Sequence, residues 1–161
     1  MKKEDYWFFW GGEFSQWCPS KFTIDETEYN CAEQYMMEQK AKLFGDEEME
    51  RKIMETDSPR KQKQFGKQVQ GFVKETWENV ARDIVKRANI AKFTQNPDLR
   101  VAFEVSKGKE LVEASPEDTI WGIGLHESDE RAWTKETWLG TNWLGEVLMD
   151  VREELTEEGI L

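Results

Sequence analysis

Two cysteines, Cys18 and Cys31, are too few and too irregularly spaced for a disulfide framework or a thiolate metal site. A single histidine, His126, sits in a polar stretch, which argues against a His-rich metal centre and against a Ser-His-Asp triad. No apolar run approaches membrane-spanning length and no charged-then-apolar leader opens the chain, so the expected setting is reducing and cytoplasmic. Positive charge is also scarce: 22 Lys and Arg stand against 33 Asp and Glu, a net charge of −11. A protein gripping duplex nucleic acid needs a basic face, and this composition argues against one, although a few local cations suffice for a single nucleotide. Neither a GxGxxG fingerprint nor a P-loop is present, and there is no internal repeat, low-complexity tract or linker.

What is abundant is aromatic surface. Eight Trp and nine Phe in 161 residues exceed the needs of one core, so some are expected at a binding surface. The length suits one domain that buries about two-thirds of its unfolded surface. We expect a mostly α (α+β) fold, a single compact helical domain with a small sheet or hairpin, spanning residues 1–161.

Tyr6 to Trp10 is an apolar run closed by Gly11-Gly12 and reads as a buried strand. Phe22 to Tyr29 reads as a short hairpin around Asp25-Glu26. Asn30 is positioned as an N-cap, with Glu33 three residues on as in a capping box, opening a helix to about Phe44 with Met37, Ala41 and Phe44 inward. A short helix at about 47–55 follows, then a restart at Asp57-Ser58-Pro59. The clearest periodicity runs from about Glu75 to Phe93 through Trp77, Val80, Ala81, Ile84, Val85, Ala88 and Ala91. Asn96-Pro97 opens a helix through Phe103, Glu110 to Ala114 alternates like a strand, and His126 to Thr137 reads as a mobile loop. The last helix, about Asn142 to Leu155, packs through Leu144, Val147, Leu148 and Val151.

Chemistry falls by elimination to carboxylates and bound water. Glu33 either satisfies a backbone N–H or acts as an ionised carboxylate at a helix start. Asp118 either closes a turn or supplies a second carboxylate. Trp121 to Gly124 is glycine-rich enough for a ligand to approach Gly122 while Trp121 lies against its ring. Trp77 is core by default. Lys40, Lys67, Arg87 and Lys92 are solvated charges or, two at a time, a phosphate site. Asn142 either caps the last helix or reaches from it towards a ligand.

Taken in order, these pieces resemble the NADAR (YbiA-like) N-glycosidase family over roughly residues 8–155. The matching segments are Phe14-Ser15-Gln16-Trp17, Ala32-Glu33-Gln34-Tyr35 leading to Gln39-Lys40-Ala41, Ser58-Pro59, Gly66-Lys67, Trp77, Lys92-Phe93 and Leu99-Arg100. Asp118 to Gly124, Gly140 to Gly145, Leu148-Met149 and Arg152 complete the pattern. The resemblance implies hydrolysis of an N-glycosidic bond to ribose in a phosphorylated, nucleotide-like substrate. It implies ADP-ribosyl-guanine in nucleic acid or early riboflavin-pathway intermediates, with no metal, cofactor, membrane or stable protein partner. Glu33 and Asp118 would be the catalytic acids, while Trp121, Gly122, Trp77, Lys40, Lys67, Arg87 and Asn142 would hold the substrate. Two positions depart from the family pattern: Gln34 stands where many members have His, and Gln16 where they have Asn. The competing readings are a non-catalytic ADP-ribose or nucleotide-binding module and an acidic, Trp-rich interaction protein.

Overall fold

The computed structural model describes residues 2–161, and it is an α+β fold. Its chain divides into two compact units, one made of the stretch up to Ser15 together with everything from Pro97 onward, the other of Gln16–Asn96.

The Gln16–Asn96 unit begins with a hairpin of β1′s successors in chain order: with β1 at Tyr6–Phe9 in the other unit, β2 is Phe22–Ile24 and β3 is Thr27–Tyr29. The two strands pair antiparallel, and Asp25 and Glu26 both take positive φ (49° and 68°), the requirement of a tight primed turn, here met without glycine. Helix α1 (Ala32–Leu43) then packs against α2 (Glu47–Glu55), α3 (Pro59–Lys67) and α4 (Lys74–Gln95). Asp46 caps α2 and Ser58 caps α3, each accepting from the backbone N–H three residues on, with Pro59 at the first helical position as expected. Gly66 lets α3 lie against α1: a Cβ there would fall 2.0 Å from Met37 Sδ.

Three expectations change in this unit. The cap of α1 is Cys31, without a side-chain bond, so the Asn30–Glu33 capping box is not formed; Gln34 Oε1 accepts the Asn30 N–H instead, at 2.8 Å. Phe44 is only half-buried at the end of α1. On α4, the buried face includes Asn89 and Lys92 besides the apolar stripe, whereas Val80 and Ala91 are half-buried.

In the other unit, β1 pairs in parallel with β4 (Glu110–Glu113), Tyr6 opposite Glu110 and Phe9 opposite Glu113. Tyr6, Val112, Ala114, Ile123, Leu125 and Ala132 form its core, with Phe8, Trp133 and Trp138 packed on it. The helix expected after Pro97 is split into a 3-10 turn at Pro97–Arg100 and a short α5 at Val101–Val105. The stretch from His126 to Thr137 is pinned rather than open: two 3-10 turns form, Ala132 is buried, and the indole N–H groups of Trp133 and Trp138 donate to Glu127 O and Ala132 O, both at 2.7 Å. Helix α6 (Trp143–Glu157) buries Leu144, Val147, Leu148 and Val151 as its spacing predicts, and Leu155 with them.

Gly145 marks where α6 meets β4. A Cβ there would lie 2.1 Å from Leu111 O and 2.4 Å from Asn142 Nδ2. Glycine to alanine inside a helix ordinarily stabilises by about 1 kcal/mol. Here the sign reverses: Gly145→Ala is expected to destabilise by about 2–3 kcal/mol in urea unfolding, because a backbone carbonyl cannot move aside.

Candidate active site

Glu33 stands in the first turn of α1, which is buried from Ala32 through Glu38 although four of those residues are polar, charged or phenolic. Burying so much polarity is possible because side-chain amides satisfy it. The Glu33 N–H donates to Gln16 O at 3.0 Å, and the Gln16 side chain is itself held, its Oε1 accepting from Asn89 Nδ2 at 3.0 Å. Gln34 Nε2 donates to Ile53 O and Thr56 O, while Gln62 Nε2 donates to Asn30 Oδ1 and Thr56 O. The Cys31 thiol donates to Gln62 Oε1 at 3.3 Å. Gln16 and Gln34, the two departures from the family pattern, therefore both fix the turn that carries Glu33.

The Glu33 residue is 6% exposed and Lys92, on α4, is fully buried. Both act electrostatically on the Cys31 thiol, Glu33 raising its pKa and Lys92 lowering it, so opposite charges lie around one sulfur. Sequence spacing treated Lys92 as a solvated charge; the structure buries it instead.

Along the same face of α1, one and two turns on, lie Met37 and Lys40. Lys40 is half-buried, and its Nζ sits 4.6 Å from the Phe72 ring centroid and 5.9 Å from that of Trp77. Among the described residues it makes no hydrogen bond and no ion pair with a carboxylate. Burial lowers its pKa, the Glu33 carboxylate opposes that, and neighbouring Lys67 adds to it. The close approach of α3 at Gly66 is what delivers Lys67 to this place. Glu33, Lys40, Lys67 and Trp77 are thus brought together, and Trp77, only 8% exposed, is a wall of the core.

Arg87 is not part of this cluster. It lines a groove of about 590 Å³ with Gln39, Lys42, Leu43, Val80, Asp83 and Ile84. Lys42 projects from the side of α1 away from Lys40, since two residues advance the helix by about 200°, and Gln39 lies about 100° round from Lys40.

The remaining predicted residues belong to the other unit, where the Trp-Gly-Ile-Gly segment and the Trp138 to Gly145 segment run backbone to backbone. Leu139 N donates to Ile123 O, Thr141 N to Thr119 O, Asn142 N to Gly122 O and Leu144 N to Trp121 O, at 3.0–3.1 Å. A Cβ on Gly140 would fall 2.3 Å from Gly122 O, and one on Gly122 would fall 3.0 Å from Asp118 O. Gly122 is packed against the Asp118 and Glu113 carbonyls, and Gly140 against Gly122 itself. Asp118 Oδ1 accepts from Ile120 N and Trp121 N at 2.9 and 2.8 Å, an Asx turn that aims this segment. Trp121 is partly exposed and meets Trp143 edge-on at 5.6 Å. Asn142 stands at the N-cap of α6 in a left-handed conformation (φ 53°) but makes no side-chain cap bond; its amide accepts from Glu113 N and donates to Leu111 O, clamping β4.

Comparison with known proteins follows from this geometry. The family model of the NADAR domain matches residues 8–156. The chain belongs to the NADAR family. Among NADAR relatives it is 42% identical to N-glycosidase R617 of Acanthamoeba polyphaga mimivirus, covering 96% of this chain and 98% of that one. It is 44% identical to protein irg-1 of Caenorhabditis elegans over 79% of this chain, spanning 61% of the length of irg-1. N-glycosidase YbiA of Escherichia coli is 29% identical over 91% of this chain and 83% of its own. The NMR structure of E. coli YbiA superposes with a TM-score of 0.78, covering 99% of this chain and 89% of that one at 27% identity. No helix among the described residues is long and apolar enough to cross a membrane.

Two residues packed around this cluster escaped the reading of the sequence. Phe72 follows a glycine in a polar loop and showed no periodicity; Asn89 is masked within the apolar stripe of α4. Nothing in spacing alone signals either.

The Cys31 thiol reports on the buried turn. Burial, more than the Glu33 charge, pushes its pKa from an ordinary 9.0 up to about 11. A raised pKa contributes stability that is whole below the unfolded value and is lost as pH rises through the folded value. The stability difference between the natural protein and Cys31→Ala is therefore expected to shrink by on the order of 2 kcal/mol between pH 8.5 and pH 11 in urea titrations.

Proposed function

We infer that this protein is an N-glycosidase that hydrolyses the bond between a ribose and a base or amine in a phosphorylated, nucleotide-like substrate. The observation that carries this reading is a buried carboxylate, Glu33, on the same helix face as a half-buried ammonium, Lys40, that has no ion-pair partner among the described residues. The names of the relatives R617 and YbiA, both N-glycosidases, supply the reaction class.

Cleavage of a ribosyl C–N bond builds positive charge on the anomeric carbon and the ring oxygen. A carboxylate fixed about 3 Å from that centre stabilises the charge without reorganising, and it accepts a proton from the attacking water. Glu33 has the required rigidity because its turn is bolted by Gln16, Gln34 and Gln62. Lys40 and Lys67 leave a concentration of positive charge that suits a substrate phosphate, which would also relieve their mutual repulsion. Asp118 has one oxygen committed to its turn and so aims Trp121. Residues 1–161 act in this reading as one domain in a reducing, cytoplasmic setting, which the two free cysteines and the span of the NADAR match support. The fitting substrates are ADP-ribosyl-guanine in nucleic acid and phosphoribosyl aminopyrimidines of the early riboflavin pathway.

Base release from both substrates by the natural protein and by Glu33→Gln tests the assignment. The variant is expected to lose at least a thousandfold in kcat with unchanged thermal unfolding, in the range known for removing a charge-stabilising group. Near-native turnover would remove Glu33 from the mechanism. Lys40→Met is expected to raise KM about tenfold or more, and less so for a dephosphorylated substrate, as loss of a charged contact requires.

A further inference from the structure

The 68–73 loop between α3 and α4 buries Val69 and ends in two exposed apolar residues, Phe72 and Val73. Phe72 is 43% exposed, yet its position is set on several sides. Gly71 takes φ 78°, turning the chain back against α1, where a Cβ on it would lie 3.6 Å from Phe44 O. The Phe72 ring meets the Phe44 ring at 5.4 Å with a 62° tilt, and the Lys40 ammonium lies over it at 4.6 Å. The sequence offers Trp121 first and Trp77 second as rings to stack on a leaving base, and Trp77, beside Lys40, is 8% exposed and offers little surface. The ring that is both open to solvent and in contact with the Lys40 side of the site is Phe72.

We propose that Phe72 is the specificity-determining residue for the leaving group: its exposed ring is the surface on which the planar base stacks when the ribose and phosphate are held at Glu33 and Lys40. The inference rests on the N-glycosidase reading of that site. An aromatic ring held in advance loses little freedom on stacking, and it accepts purines and pyrimidines alike because every base offers a π face. A ring in that place also keeps water from one side of the departing base and so favours a planar leaving group over an aliphatic amine. The cation over the same ring adds a constraint: the phosphate that pairs with Lys40 and the base that stacks on Phe72 are read by adjoining parts of one cluster.

The test compares ligands that differ only in the base. In a Glu33→Gln background, binding is measured by calorimetry for guanine-linked ADP-ribose against ADP-ribose, and for a phosphoribosyl aminopyrimidine against ribose 5-phosphate. Phe72→Ala is expected to weaken the base-bearing member of the pair that binds about 5- to 100-fold, the range of base–aromatic stacking, and to leave the base-free member within about twofold. Phe72→Trp is expected to restore binding. Equal loss for both members would mean that Phe72 acts only through Lys40 and would overturn the proposal, as would no loss for either, or failure of the Phe72-containing protein to prefer any base-bearing ligand. The site reading fails separately, through turnover retained by Glu33→Gln with Phe72 intact. If Glu33→Gln abolishes turnover while Phe72→Ala leaves base recognition untouched, only the stacking role falls.

Discussion

The need to compensate charge buried at the start of α1 organises the Gln16–Asn96 unit. Glu33 and Lys92 are both removed from water, and a buried ion is tolerated only where opposite charge and fixed dipoles surround it. Carboxamides fix the segments around that turn. Gln16, Gln34, Gln62 and Asn89 are all buried, and their side chains bond the Asn30 residue just before α1, the end of α2, the entry to α3 and α4. The Glu33 N–H is held in turn by the Gln16 carbonyl. Rigidity of this kind is what electrostatic stabilisation of a transition state requires.

The other unit solves a different problem, that of bringing irregular segments into contact without a large sheet. Only two short parallel strands are available, so the Trp-Gly-Ile-Gly and Trp-Leu-Gly-Thr-Asn segments lay backbone on backbone, and Asn142 joins them to β4 through its amide. Glycine is required where carbonyls approach to distances that no Cβ allows, at Gly140 and Gly145 above all. Asp118 and Asn142 consequently hold structural bonds as well as places in the family pattern.

How legible was this in the residues alone? Helix positions followed from periodicity and caps because those are local: Ser58-Pro59 starts α3 and Met49 and Ile53 face inward on α2, as spacing predicts. The helix after Pro97 was misjudged because a 3-10 turn shares its local signals with the first turn of an α-helix. The Glu33 capping box failed for a subtler reason. Moving the cap by one residue to Cys31 hands the reach-back bond to Gln34, and the two registers differ only in what the glutamines find across space.

The sequence by itself determined the helices and, through the order of its motifs, the family. Tertiary structure decided which polar residues were buried, and it separated Arg87 from the Glu33, Lys40 and Lys67 cluster that it was expected to join. It also sank Trp77 into the core and left Phe72 open beside Lys40. The physical reason is that helical spacing records which side a residue faces, whereas burial, pairing and charge depend on what another part of the chain places opposite it.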